Sequence, residues 1–310
     1  MLEIRPFSAA HVPQAAALAA EEYARARRAF PLLPPVDAAG VFCRELSSLC
    51  LPLSVAALEE GRLKGFLCCE EPRKAYFGTA DGIYSPLWAH GAESPAVWQA
   101  LYTSAARLWA ENGLFTHLIT VYAWDKALLR LFFENGFGLR LCDALRPVSP
   151  IERRGGFRVE ECRDWERLLP FRNGVLGHLG QSPTFFPHPR QTAGELKAEA
   201  EADGLRFFIA ARNGVDAAYL EFGGAGENFT CTVPSTDNIC GAYCLPAFRG
   251  SGAAQALLSS LMELLAQEGK ASCGVDYETI NPAANHFWPK YFSPYTYGLF
   301  RRIDERWKPL

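Results

Sequence analysis

The feature that most constrains this chain is a pattern of elements written twice. The opening Ile4-Arg5-Pro6-Phe7 returns in the second half as Phe157-Arg158-Val159-Glu160, and both read as short strands leading into a helix. A Phe-Pro loop follows each helix, Phe30-Pro31-Leu32-Leu33-Pro34-Pro35 and then Phe185-Phe186-Pro187-His188-Pro189. Two apolar runs around a tight turn come next. In the first half they flank Glu59-Glu60-Gly61-Arg62; in the second they flank Arg212-Asn213-Gly214. Asn-Gly is a strong hairpin signal because it tolerates the positive φ that such turns require. Helices are then expected near Ala96–Glu111 and Ala253–Glu268, each stopping at a glycine, Gly113 or Gly269. A strand, a short helix and a Phe-rich segment close each copy.

This matched order at a nearly constant offset points to duplication. A chain of 310 residues also exceeds what one core usually holds. The expected division is 1–148 and 157–310, with a linker around Pro147–Gly156 rich in turn formers. Hairpins mixed with strand–helix–strand crossovers predict an α/β class with a mixed sheet flanked by helices.

The formal charge is −3 and is shared evenly between the halves, so no basic face for nucleic acid is expected. The ten cysteines lie in apolar runs without a C-x-x-C pair and read as reduced, buried hydrophobes. No apolar run reaches the ~18 residues of a membrane span. The expectation is a soluble, cytoplasmic protein. The scattered histidines offer no metal-ligand spacing.

The sharpest local signal runs from Tyr243 to Leu258. A strand ends at Cys244 and Leu245, Pro246 breaks it, and Arg249-Gly250-Ser251-Gly252-Ala253-Ala254 opens a helix. The first amides of a helix have no partners of their own, and the helix dipole adds partial positive charge there. An anion satisfies both. Gly250 and Gly252 allow close approach to the backbone, Ala253 and Ala254 keep the first turn narrow, and Arg249 adds a permanent cation. The segment is thus expected to cradle a diphosphate.

These residues resemble motif A of the GNAT acyltransferase superfamily, Arg/Gln-x-x-Gly-x-Gly/Ala, through Arg249, Gly252 and Ala254. Asn281-Pro282-Ala283-Ala284-Asn285-His286-Phe287-Trp288-Pro289-Lys290-Tyr291-Phe292 is similar to motif B of the same family. The resemblance implies two tandem GNAT-like domains, of the kind found in mycothiol synthase and related acetyltransferases. It implies an acetyl-CoA site formed by Cys244, Leu245, Arg249 to Ala254 and Asn281. It also implies transfer of the acetyl group to a primary amine of a small molecule. An oxyanion donor is implied among the backbone amides of Tyr243 to Leu245.

The first copy departs at the critical place. Its corresponding stretch, Tyr84 to Val97, has no arginine and no glycine pair, and Glu93 would repel a phosphate. This copy is expected to keep the fold and to have lost the coenzyme.

Where the family carries a tyrosine acid, this chain has Phe287 or Trp288, so Tyr291, Tyr295 or Tyr297 is the substitute, with Tyr291 preferred. The base is to be sought among Asp237, Glu221, Asp276 and Glu278, which border the expected cleft, with Asp237 and Glu278 nominated. The missing tyrosine leaves a non-catalytic acyl-CoA sensor as the alternative. Either a monomer or a homodimer fits, because two fused copies already supply a pairing.

Overall fold

Both hairpins close with a two-residue loop whose residues have positive φ: Glu60 and Gly61 in one, Asn213 and Gly214 in the other. Such loops match the right-handed twist of the flanking strands. The repeat foreseen in the sequence is therefore present down to its turns.

The computed structural model describes residues 1–49 and 51–308. Cys50 and the last two residues of the expected second domain lie outside the described residues. The first copy runs β1 (Glu3–Pro6), α1 (Val12–Ala29), α2 (Ala38–Ser47), β2 (Val55–Glu59), β3 (Arg62–Leu67), β4 (Gly82–Ser85) and β5 (His90–Ala92). It continues with α3 (Pro95–Glu111), β6 (Thr116–Tyr122), α4 (Lys126–Glu134) and β7 (Gly138–Pro147). The second runs β8 (Arg158–Glu161), α5 (Trp165–Leu179), α6 (Ala193–Asp203), β9 (Arg206–Arg212), β10 (Val215–Gly223) and β11 (Thr236–Cys244). It ends with α7 (Ala253–Gln267), β12 (Ser272–Glu278), α8 (Pro282–Phe287) and β13 (Ser293–Arg302).

The structure divides into two units, Met1–Cys142 with Tyr295–Leu310, and Asp143–Pro294. The sequence predicts that everything from 157 to 310 lies in one domain. In the structure the last strand, β13, instead pairs antiparallel with β6 of the first unit, from Thr296↔Tyr122 to Arg302↔Thr116.

In the first unit β1, β2, β3 and β5 form an antiparallel sheet, while β4 runs parallel to β6. Its core gathers Trp98, Leu101, Tyr102 and Trp109 of α3 with Ile119 and Val121 of β6. In the second unit β8, β9, β10 and β11 are antiparallel neighbours, and β12 is parallel to β11. Ala256, Leu257, Leu261 and Leu265 give α7 a buried apolar stripe at helical spacing. That stripe packs on β9 and β10.

A single strand position explains how the two copies differ. In the second unit β11 is continuous. Its N-terminal half pairs parallel with β12 and its C-terminal half antiparallel with β10. In the first unit the corresponding segment is broken at Pro86, which has no N–H to give a ladder, into β4 beside β6 and β5 beside β3.

Candidate functional site

The site of the second unit starts from an irregularity in β11. Pairing with β10 runs Glu221↔Gly241 and then Phe222↔Ile239, so Cys240 has no opposite residue. Such a bulge bends its strand. Pairing with β12 stops at Ile239↔Val275, although β11 continues to Cys244 and β12 to Glu278. The two strands splay beyond that point and leave one edge of β11 open. Leu245 N–H is bonded to Ala217 O at 2.9 Å, so the alternation of an antiparallel ladder turns Tyr243 and Leu245 toward β10. The same alternation aims Ala242 and Cys244 at the open edge. Of the three amides expected to hold the oxyanion, Cys244 is the one facing the gap.

Past the open edge comes the turn into α7. A short 3-10 turn, Pro246–Phe248, leads to Gly250 at φ +76 and Gly252 at φ +94. Gly252 stands at the N-cap of α7, where no side chain supplies a capping bond. Among the described residues, six of the eight α-helices begin on a capping side chain, namely Asp37, Ser94, Asp125, Asp164, Thr192 and Asn281. By contrast, the amides of Gly250, Gly252, Ala253, Ala254 and Gln255 have no hydrogen-bond partner among the described residues.

These groups border a cleft of about 500 Å³. Ala242, Cys244, Arg249, Ala254, Asn281 and Tyr291 are among its lining. Arg249 and Lys290 bring positive charge, and no aspartate or glutamate lines it. The Arg249 side chain is held by Nε donating to Cys244 O at 3.3 Å, which leaves its other nitrogens free to meet an anion. Burial raises the Cys244 thiol above its ordinary value. It is a thiol at neutral pH.

Most residues foreseen for the coenzyme meet here: Cys244, Arg249, Gly250, Gly252, Ala253, Ala254 and Asn281 all line the cleft. Leu245 and Ser251 do not. The Leu245 amide is spent on the sheet, and Ser251 Oγ turns back to Phe248 O at 2.5 Å.

The nominated catalytic groups separate. Tyr291 lines the cleft, 5.2 Å from the Phe287 ring. Asp237 is outside it, 93% buried and ion-paired with Lys270 at 2.7 Å. Glu278 and Asp276 lie at the end of β12 and outside the lining. Asp276 is exposed, yet the protein packed around its carboxyl, with the carboxylates of Glu227, Asp143 and Glu278, raises it well above the usual range. Glu221 is buried against Arg172, whose Nη1 lies 3.0 Å from Oε2. Tyr295 and Tyr297 belong to the first unit. The Phe-Pro loop at Phe185 is likewise absent from the lining.

One cleft residue had no sequence signal. His178, on α5, places Nε2 3.2 Å from Asn281 Oδ1 across 103 residues of sequence.

Residues 175–292 match the model of the acetyltransferase (GNAT) family. The matched stretch lies within the second unit. Among solved structures, a GCN5-related N-acetyltransferase from Sphaerobacter thermophilus shares the fold with a TM-score of 0.59 at 14% identity. That match covers 97% of this chain and 95% of the other. A GNAT-family acetyltransferase from Colwellia psychrerythraea gives a TM-score of 0.52 at 14% identity, covering 98% of this chain and 100% of that one. Both alignments span the two units of this chain. No curated protein matches the sequence.

The equivalent place in the first unit is built shut. Ser94 Oγ accepts from Val97 N at 3.3 Å, and Pro95 occupies the first helical position without an N–H. Just before them Glu93 is paired with Lys64 at 2.8 Å and Arg62 at 3.0 Å. Among the described residues, no helix is long and apolar enough to cross a membrane, and no cluster of three His, Cys, Asp or Glu is placed to hold a metal.

Proposed function

We propose that the second unit takes an acetyl group from acetyl-CoA and passes it directly to a primary amine of a small molecule. The observation that carries this reading is the uncapped start of α7, whose unpartnered amides open onto a cleft with two cations and no carboxylate. A diphosphate supplies what those amides lack. The open edge of β11 then offers the Cys244 amide to the thioester oxygen as it gains charge. The raised thiol of Cys244 is a poor nucleophile, which supports direct attack by the amine over an acyl-cysteine intermediate. Of the three nominated catalytic side chains, Tyr291 is retained as a hydrogen-bond donor to the departing sulfur.

A coenzyme-binding sensor is the second reading, favoured by Phe287 and Trp288 standing where the family has a phenol. Thiol release from acetyl-CoA over a broad amine panel separates the two: tight binding without release favours the sensor.

Ala254→Asp is the sharper probe of the cradle. An acid in the first turn stabilises a helix by about 0.3–1 kcal/mol. The same carboxylate would occupy the amides that the diphosphate needs. Acetyl-CoA affinity, measured by calorimetry, is expected to fall more than tenfold, equivalent to about 1.4 kcal/mol, with folding stability kept. Unchanged affinity would remove the cradle from this account.

A further inference from the structure

Helix α5 packs tightly on the sheet at Gly174, where an added Cβ would lie 2.6 Å from the ring of Tyr243 on β11. Only the missing side chain permits that approach. His178 stands four residues on, hence on the same face of the helix. It thereby reaches the cleft wall beside the open edge of β11.

Its hydrogen-bonding state follows from its partner. Asn281 Oδ1 already accepts from Ala283 N at 3.1 Å and Ala284 N at 3.5 Å, so it is an acceptor. His178 Nε2, 3.2 Å away, must therefore carry the hydrogen. In the neutral ring that leaves the lone pair on Nδ1, which has no hydrogen-bond partner among the described residues. No carboxylate lines the cleft to take a proton. Asp237 and Glu221 are committed to Lys270 and Arg172.

We propose that His178 is the proton carrier of the transfer, a role that rests on the acetyltransferase reading above. The amine nitrogen bonds to the acyl carbon and its proton passes to His178 Nδ1. The carbon–sulfur bond breaks, and the imidazolium returns the proton to the sulfur as the thiol leaves. Asn281 positions the ring through Nε2 and so ties the start of α8 to the chemistry.

The other titratable and charged groups sharing the cleft are Tyr219, Tyr243, Arg249, His286, Lys290 and Tyr291, together with the Cys244 thiol. His286 is the other imidazole, and it is exposed on α8. The decisive variant is His178→Gln, whose amide can still donate to Asn281 Oδ1 but has no basic nitrogen. We expect kcat to fall about a hundredfold or more, as for loss of a general base, with acetyl-CoA affinity within twofold of wild type. The acid limb of the pH–rate profile is expected to vanish in His178→Gln and to persist in His286→Gln. Wild-type rate with an unchanged profile overturns the proposal, and so does a defect confined to coenzyme binding. The nitrogen-15 shifts of the wild-type imidazole with acetyl-CoA bound give a separate test. A proton on Nε2 supports the proposal, and a proton on Nδ1 overturns it, whether or not an acceptor amine has been found. Failure of every amine to react with wild type would sink the parent reading instead.

Discussion

Two glycines in the cradle have positive φ for different reasons. Gly250, at φ +76, has open space where a side chain would go, so alanine there meets only the left-handed backbone penalty. That penalty is about 1–2 kcal/mol. At Gly252, φ +94, an added Cβ would also lie 3.1 Å from both atoms of the Arg154 carbonyl, which cannot swing aside as a side chain does. Gly252→Ala is therefore expected to destabilise more than Gly250→Ala in urea denaturation. Equal losses would mean that the Arg154 backbone yields freely. The cradle thus has a seat on one side as well as an opening on the other. The same contact makes Gly252→Asp a less clean test of coenzyme binding than Ala254→Asp.

At the scale of elements, Arg172 is the joint of the second unit. From α5 it donates to Glu221 of β10 at 3.0 and 3.1 Å, to Glu199 of α6 at 2.5 Å, and to Gln191 at 3.0 Å. Burial raises the Glu221 carboxyl even though Arg172 opposes the shift. Removing the cation alone strands a buried carboxylate, at a cost of about 3–5 kcal/mol. Arg172→Leu should lose stability on that scale, whereas Arg172→Leu with Glu221→Leu should recover most of it. A double-mutant cycle by denaturation checks this, and additive losses would show that the pair is not coupled. Because α5 also carries His178, a loosened joint is expected to blur the cleft wall.

At the scale of the molecule, the copy without an open cradle responds most plainly to acid. His90 is bonded to Thr120 O at 2.8 Å, and His117 lies between Tyr102 Oη and Leu114 O. Burial lowers each from 6.5 to about 4. The unfolded chain binds protons at these sites below about pH 6.5, whereas the folded one does so only near pH 4. Their stabilising contribution is complete above pH 6.5 and is lost as pH falls from there to 4. Between pH 7 and pH 5 the first unit should lose roughly 2 kcal/mol per histidine. Urea midpoints at the two pH values test it. His117→Gln should flatten part of the slope, and an unchanged slope would show that His117 is not the group responsible.

The sequence by itself determined what depends on neighbours along the chain. The duplicated order, both two-residue hairpins, the glycine stops and the Arg249–Ala254 turn are written in local period and backbone freedom, and all are found in the structure. Tertiary structure decided what depends on residues far apart. The open edge of β11 needs a bulge at Cys240 and a partner strand that veers away, and neither leaves a local pattern. Asp237 had the right residue type for a base, but Lys270, 33 positions on, already held it. His178 had no signal because its meaning comes from Asn281. The last strand joins β6 because a strand edge is satisfied by whichever segment reaches it in register, and hydrophobic alternation does not encode that choice.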